Sequence, residues 1–181
     1  MIILGIDPGS RTAGYGVIEV SGRKLSYIAS GTLRYDKEKD FLSRLGVIHE
    51  SCLDLVAEFN PHEISLESLI YVKSVTSLAK LAQARGAMIA AFMKTHLGLV
   101  SEYSPNLIKT TVSGHGHANK ESIDKSMKLI FGQHLNFETG DESDGLAIAA
   151  CHALLRGQQL TTMKKSKGSS LKNAFRHLEQ K

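Results

Sequence analysis

The 181 residues are 42% hydrophobic and 22% charged, enough apolar material for one globular domain and too little charge for a disordered chain. The longest uninterrupted apolar run, residues 87–93, is far short of the roughly 18 residues a membrane span needs, and two distant cysteines, Cys52 and Cys151, exclude a disulfide framework or a zinc cluster. The net charge of +4 is uneven: residues 156–181 hold seven Lys/Arg against one acid, so overall basicity says little about what the folded part binds.

In chain order, the apolar run 2–6 reads as a buried strand stopped by Asp7-Pro8-Gly9. Residues 13–20 form a second strand, whose glycines let backbones approach closely, and 24–35 a third. Short connections make these three an antiparallel meander. Asp40 caps a helix through Phe59, in which Phe41, Leu45, Ile48, Cys52, Val56 and Phe59 recur at spacings of three and four. Asn60-Pro61 ends it. Residues 63–68 form a fourth strand, 77–97 a helix stopped at Gly98, and 97–103 a fifth strand. The many alanines of helix 77–97 suit either internal packing or a contact between copies of the chain.

Ser104-Pro105 opens a short helix to about Thr111, followed by the loop Gly114-His115-Gly116-His117. Asn119 caps a helix that ends before Gly132, and a last helix runs from near Asp141 to Arg156. The order predicts an α/β fold over residues 1–156: a five-stranded mixed sheet, three strands antiparallel and two parallel, flanked by helices. Residues 157–181 read as a basic, flexible tail.

Four acids fall where a purely structural role is uncomfortable. Asp7 and Glu67 each end an apolar strand; Asp141 and Asp144 open the last helix just before LAIAAC. Singly, Asp7 reads as a turn residue, Glu67 as a solvated strand end, and each helix Asp as a cap or dipole partner. Together they read otherwise. If the first and fourth strands are parallel neighbours, Asp7 and Glu67 lie side by side at the C-terminal sheet edge, where open α/β sheets bind ligands. Asp141 and Asp144 are three apart and share a helix face. Packed on that edge, the four would repel one another unless a divalent cation intervened. An all-oxygen donor set selects Mg²⁺ or Mn²⁺ over zinc, and two such ions suit in-line attack on a phosphodiester.

The stretches ILGIDPGSRTAGYGVIE, ESLIYVKS, KLAQARG, LIKTTVSGHGHANK and DESDGLAIAACHA, in this order over about residues 1–155, resemble the RuvC family of bacterial Holliday-junction resolvases. The resemblance implies an RNase H-like fold and a cytoplasmic, homodimeric endonuclease with two Mg²⁺ per active site, Mn²⁺ substituting. It also implies four-way junction DNA as substrate, 5′-phosphate and 3′-hydroxyl nicks, and the RuvA–RuvB branch-migration complex as partner. By it, Asp7, Glu67, Asp141 and Asp144 match the acidic tetrad and metal ligands, and Lys109 and Lys120 the basic residues of cleavage and DNA binding; as residue types alone, both lysines suit a solvated surface equally.

The family's aromatic wedge position aligns with Ile70, and Tyr71 follows, so either an apolar wedge or a stacking ring is expected there. The candidate DNA contacts are Lys109, Lys120, Ile70, Tyr71, Lys73, Arg85, His115 and His117. The two histidines read as part of a loop near DNA rather than a metal pair, because a lone HxH on a glycine loop is a weak zinc signal.

Three rival readings have discriminating features. GIDPGS resembles the first phosphate loop of actin- and hexokinase-type ATPases, but no second such loop is present and 181 residues leave no room for a duplicated domain. A junction-binding module that does not cut has no use for four clustered acids near DNA. The YqgF family shares the early Asp motif, but KLAQARG and DESDGLAIA favour RuvC.

Overall fold

The computed structural model describes residues 1–69, 74–116 and 118–156. Ile70, Tyr71, Lys73, His117 and the basic segment 157–181 lie outside the described residues. Strands β1 (Ile2–Asp7), β2 (Thr12–Ser21) and β3 (Lys24–Arg34) form the meander, followed by α1 (Phe41–Phe59), β4 (Glu63–Glu67), α2 (Val75–Met93), β5 (Val100–Tyr103), α3 (Pro105–Ser113) and α4 (Lys120–Phe131). A final helix, α5, covers residues 140–156.

The sheet order is β3-β2-β1-β4-β5. β1 pairs antiparallel with β2 and parallel with β4, and β4 pairs parallel with β5. This is the expected mixed sheet. The parallel register sets Ile6 opposite Leu66, so Asp7 and Glu67 follow side by side at one edge.

Strand alternation divides the core in two. Leu4, Ile6, Ile64 and Leu66 point to α1 and α2, where Ile48, Cys52, Leu55, Ala84, Met88 and Phe92 are buried with them. Ile3 and Ile18 point the other way, into a cluster with Ile108, Ile123, Met127, Leu146 and Cys151 from α3, α4 and α5. Residues 7 and 67 have the parity of that second face, so their carboxylates share it with α5.

Helix α5 sits unusually close to the sheet because glycine removes the side chains that would hold it off. A methyl group at Gly5 would overlap the Ala149 nitrogen and the Gly145 carbonyl, and one at Gly16 the backbone of Leu146. From the helix side, a Cβ on Gly145 would come within 2.6 Å of the Tyr15 backbone. Further along, His152 Nε2 lies 2.8 Å from Glu63 Oε2, Tyr103 Oη lies 2.7 Å from His152 Nδ1, and Arg156 Nε donates to Glu63 Oε1. Ser65 Oγ donates to the carbonyls of Leu4 and Ile148.

Helix starts follow their capping residues: Asp40, Ser74, Ser104 and Asn119 each accept a hydrogen bond from the backbone N–H three residues on. Two expected boundaries are corrected. Helix α2 ends at Met93, not at 97, and β5 begins at Val100, not at 97. The last turn tightens to i→i−3 bonds, Lys94 N–H to Ala91 O and Thr95 N–H to Phe92 O, as His96 is buried with its Nε2 2.8 Å from the Pro61 carbonyl. Gly98 (φ +78°) belongs to the turn beyond the helix.

If the glycine contacts set the α5–sheet distance, Gly5→Ala overpacks the interface by about 1–3 kcal/mol and lowers the melting temperature by roughly 2–4 °C per kcal/mol. Gly46→Ala, in α1 with nothing within 4 Å of the added methyl, raises it instead. Thermal melts of the two variants check both signs.

Candidate active site

Asp7 and Glu67 stand at the C-terminal ends of β1 and β4, and α5 delivers Asp141 and Asp144 from its first turn. Backbone contact makes the delivery close: a Cβ at Gly14, opposite Asp7 in the β1–β2 register, would overlap the Asp141 carbonyl. Oxygens of Asp7, Asp141 and Asp144 lie within 4.8 Å of one another, an arrangement able to hold a metal ion. Glu67, Asp7 and Asp144 also line a cleft of about 420 Å³ with Lys109, Asn119 and Lys120, floored by Ile108, Ile123 and Ala147. Lys120 Nζ lies 3.5 Å from Asp144 Oδ2, its side chain 69% exposed.

The electrostatics are those of a site short of positive charge. Burial first, then Glu67, Asp144 and Asp141, push the Asp7 carboxyl up to about 8, with Lys120 pulling the other way. Burial, then Asp144, also raises Glu67 against the opposing pull of Lys109. Asp144 is raised chiefly by burial, and Lys120 again opposes. Hard, all-oxygen donors forced together in this way fit a divalent cation such as Mg²⁺ or Mn²⁺.

The structure thus gathers five of the expected residues around one cleft, Asp7, Glu67, Asp144, Lys109 and Lys120, with Asp141 beside them. His115 is exposed on the α3–α4 connection, and its ring is not among the groups that line the cleft. Arg85 is a correction. Expected as a DNA contact, it is buried, ion-paired with Glu102, and donates from Nε to the Glu67 carbonyl at 3.2 Å. The helix face that carries it turns inward, so its cation steadies the end of β4 instead of meeting solvent.

Sequence reasoning missed Thr12, whose Oγ1 donates to Asp141 Oδ2 at 3.2 Å, and the Thr32–Thr139 hydroxyl pair at 2.6 Å. The first carried a faint signal, a hydroxyl five residues past Asp7 on the returning strand. The second joins residues 107 positions apart and had none.

A mixed five-stranded sheet with this edge and these acids defines an RNase H-like nuclease. The family model for crossover junction endodeoxyribonuclease RuvC matches residues 3–152. The RuvC protein of Rhizobium johnstonii is 42% identical over 156 residues, covering 86% of this chain and 90% of that protein. The Brucella ovis RuvC is 43% identical over 152 residues, covering 83% and 86%. Among solved structures, Thermus thermophilus RuvC in complex with Holliday junction substrate superposes with a TM-score of 0.78 at 29% identity, covering 86% of this chain and 94% of that one. The chain belongs to the RuvC family of crossover junction endodeoxyribonucleases, hydrolases of phosphodiester bonds.

The Asp7 environment makes stability depend on pH. In the metal-free fold Asp7 keeps its proton to about pH 8, whereas the unfolded chain releases it near the ordinary value of 3.8. Between those values the folded state binds more protons, so stability falls as pH rises. Asp7→Asn removes that loss. It raises the melting temperature of metal-free protein at pH 8, by on the order of a few kcal/mol in stability, and hardly at pH 4. Equal gains at both pH values would mean that Asp7 titrates normally.

Proposed function

We propose that this chain is a metal-dependent endonuclease that resolves four-way DNA junctions by paired, symmetric nicks in recombination and repair, with Asp7, Glu67, Asp141 and Asp144 as its metal ligands. The observation that carries the reading is the convergence of carboxylate oxygens from β1 and α5 within 4.8 Å, in a chain of the RuvC family. Two Mg²⁺ ions, with Mn²⁺ as substitute, would be held by these carboxylates and would supply Lewis-acid activation of water and charge stabilisation for the leaving 3′ oxygen.

The chain's own groups do the rest. The four carboxylates would hold the cations, and cleavage would leave 5′-phosphate and 3′-hydroxyl ends. Lys120, on the first turn of α4 at the cleft wall, neutralises phosphate charge at the reacting centre. Lys109, across the cleft on α3, positions a neighbouring phosphate. Apolar Ile108, Ile123 and Ala147 line the same cleft and lower the local dielectric, which strengthens these interactions.

Residues 1–156 constitute the nuclease domain, and 157–181 add nonspecific attraction to phosphates. Lys73, His115 and His117 add DNA contacts. A homodimer with two-fold symmetry presents two such sites to the two equivalent strands of a junction. The enzyme works in the cytoplasm beside the RuvA–RuvB branch-migration complex. Among the described residues no helix is long and apolar enough to cross a membrane.

The direct test is a synthetic four-way junction incubated with and without Mg²⁺ and resolved on a denaturing gel, where nicks at symmetric positions are expected only with the metal. Asp7→Asn, Glu67→Gln, Asp141→Asn and Asp144→Asn each lower cutting by at least a hundredfold and leave junction binding intact or tighter, since each removes negative charge. Wild-type cutting by any one of them would remove that residue from the ligand set.

Holding the crossover open unstacks bases at a cost of about a few kcal/mol per step, and stacking on an aromatic ring recovers roughly 1–3 kcal/mol per base. Tyr71 is the ring we assign to that task. Tyr71→Ala lowers cleavage more than Ile70→Ala and dims a crossover base analogue that fluoresces when unstacked. The reverse order would make the wedge aliphatic.

A further inference from the structure

We propose that Thr12 is the positioning residue for the Asp141 carboxylate, and that its hydroxyl sets the affinity of the site for divalent metal. The inference rests on the proposed function and extends it to a residue outside the acidic tetrad.

Asp141 is placed in two stages. Its backbone is seated by contact: Gly14 leaves no room between β2 and the Asp141 carbonyl, and the Thr32–Thr139 hydroxyl pair ties β3 to the segment that leads into α5. Neither contact touches the carboxyl group. The terminal torsion of an aspartate is broad, so a seated backbone still leaves the two oxygens free to rotate. Thr12 removes that freedom. Its Oγ1 donates to Oδ2 at 3.2 Å, and among the described residues it is the one hydroxyl that bonds an oxygen of the acidic cluster.

The donor is itself held. Thr12 is the first residue of β2 and pairs with Arg34. The next pairing beyond the strand end, Tyr35 N–H to Arg11 O at 2.8 Å, fixes the loop on its other side. Threonine also has a restricted side-chain torsion, so the hydroxyl is aimed before any metal arrives. An oxygen that accepts one hydrogen bond keeps a lone pair, and the other oxygen keeps both. The carboxylate is therefore oriented without being used up as a ligand.

Groups that orient metal ligands through a hydrogen bond typically change metal affinity or activity by about 10–100-fold when removed. Thr12→Val keeps the β-branched shape and the strand preference and deletes only the donor. Thr12→Ser keeps the donor. The experiment titrates Mn²⁺ into full-length protein without DNA by calorimetry, and in parallel follows junction cleavage against Mg²⁺ concentration.

The expected result is a Kd for Mn²⁺ about tenfold weaker in Thr12→Val. Its Mg²⁺ dependence shifts by the same factor, and most of the cleavage rate returns at saturating Mg²⁺. Thr12→Ser stays within about twofold of wild type in both measurements. Metal-free junction binding is equal in all three proteins. Should Thr12→Val fail to fold, Thr12→Ala against Thr12→Ser reads the same difference.

Wild-type Mn²⁺ affinity in Thr12→Val overturns the proposal, and so does a loss in Thr12→Ser as large as in Thr12→Val. A wild-type protein that neither binds Mn²⁺ nor cuts the junction would instead overturn the proposed function, and this inference with it.

Discussion

The structure depends on how near α5 lies to the central strands. A helix normally rides on a sheet with side chains between them, but here Gly5, Gly14, Gly16 and Gly145 bring backbone against backbone. Without that approach the first turn of α5 would stand a side-chain layer away, and Asp141 and Asp144 could not share a site with Asp7. The fold obtains a metal-holding geometry from the absence of side chains at four positions rather than from any attraction among the acids.

The acids themselves oppose the arrangement. They are partly buried, and each of Asp7, Glu67 and Asp144 is driven toward its neutral form. Folding carries this cost because the interface continues well beyond the site. Along α5, Leu146 and Ile148–Cys151 are buried against Ile3 and Ile18. One turn further, the chain from Tyr103 through His152 to Glu63 and Arg156 clamps the helix to the start of β4 and the end of β5. The apolar middle and the polar clamp hold the electrostatically strained end in place. Lys109 and Lys120 then offset part of the repulsion, through long side chains whose place beside the acids a metal cation can take.

Arg85 and Thr12 show a division of labour around the same site. Arg85 acts on backbone: buried between α2 and β5, it pins the Glu67 carbonyl while Glu102 balances its charge. Thr12 acts on a carboxylate. Being neutral, that donor orients an acid and leaves its charge available to a metal, whereas Lys120, 3.5 Å from Asp144, also offsets charge.

Much of this was legible in the residues. The apolar runs, the caps at Asp40, Ser104 and Asn119, and the breaks at Gly132 and Asn60-Pro61 are local signals, and local signals determine where elements start and stop. The placement of Asp7 and Glu67 at strand ends, and of Asp141 and Asp144 on one helix face, followed from periods of two and 3.6 residues. What the chain alone left open was every contact made by residues distant in sequence. Arg85 read as a DNA contact because its partner, Glu102, lies on another element; the expected end of helix α2 lay four residues too far along because the His96–Pro61 contact spans 35 positions. Thr12 carried only a faint signal, and its partner became visible once α5 folded back across 129 positions to meet it. The sequence by itself determined the elements and the chemistry they carry, because propensity and periodicity act over a few residues. Only the tertiary structure decided which cations face the solvent and which hydroxyl holds an acid, because those depend on distances across the packed sheet that no local rule encodes.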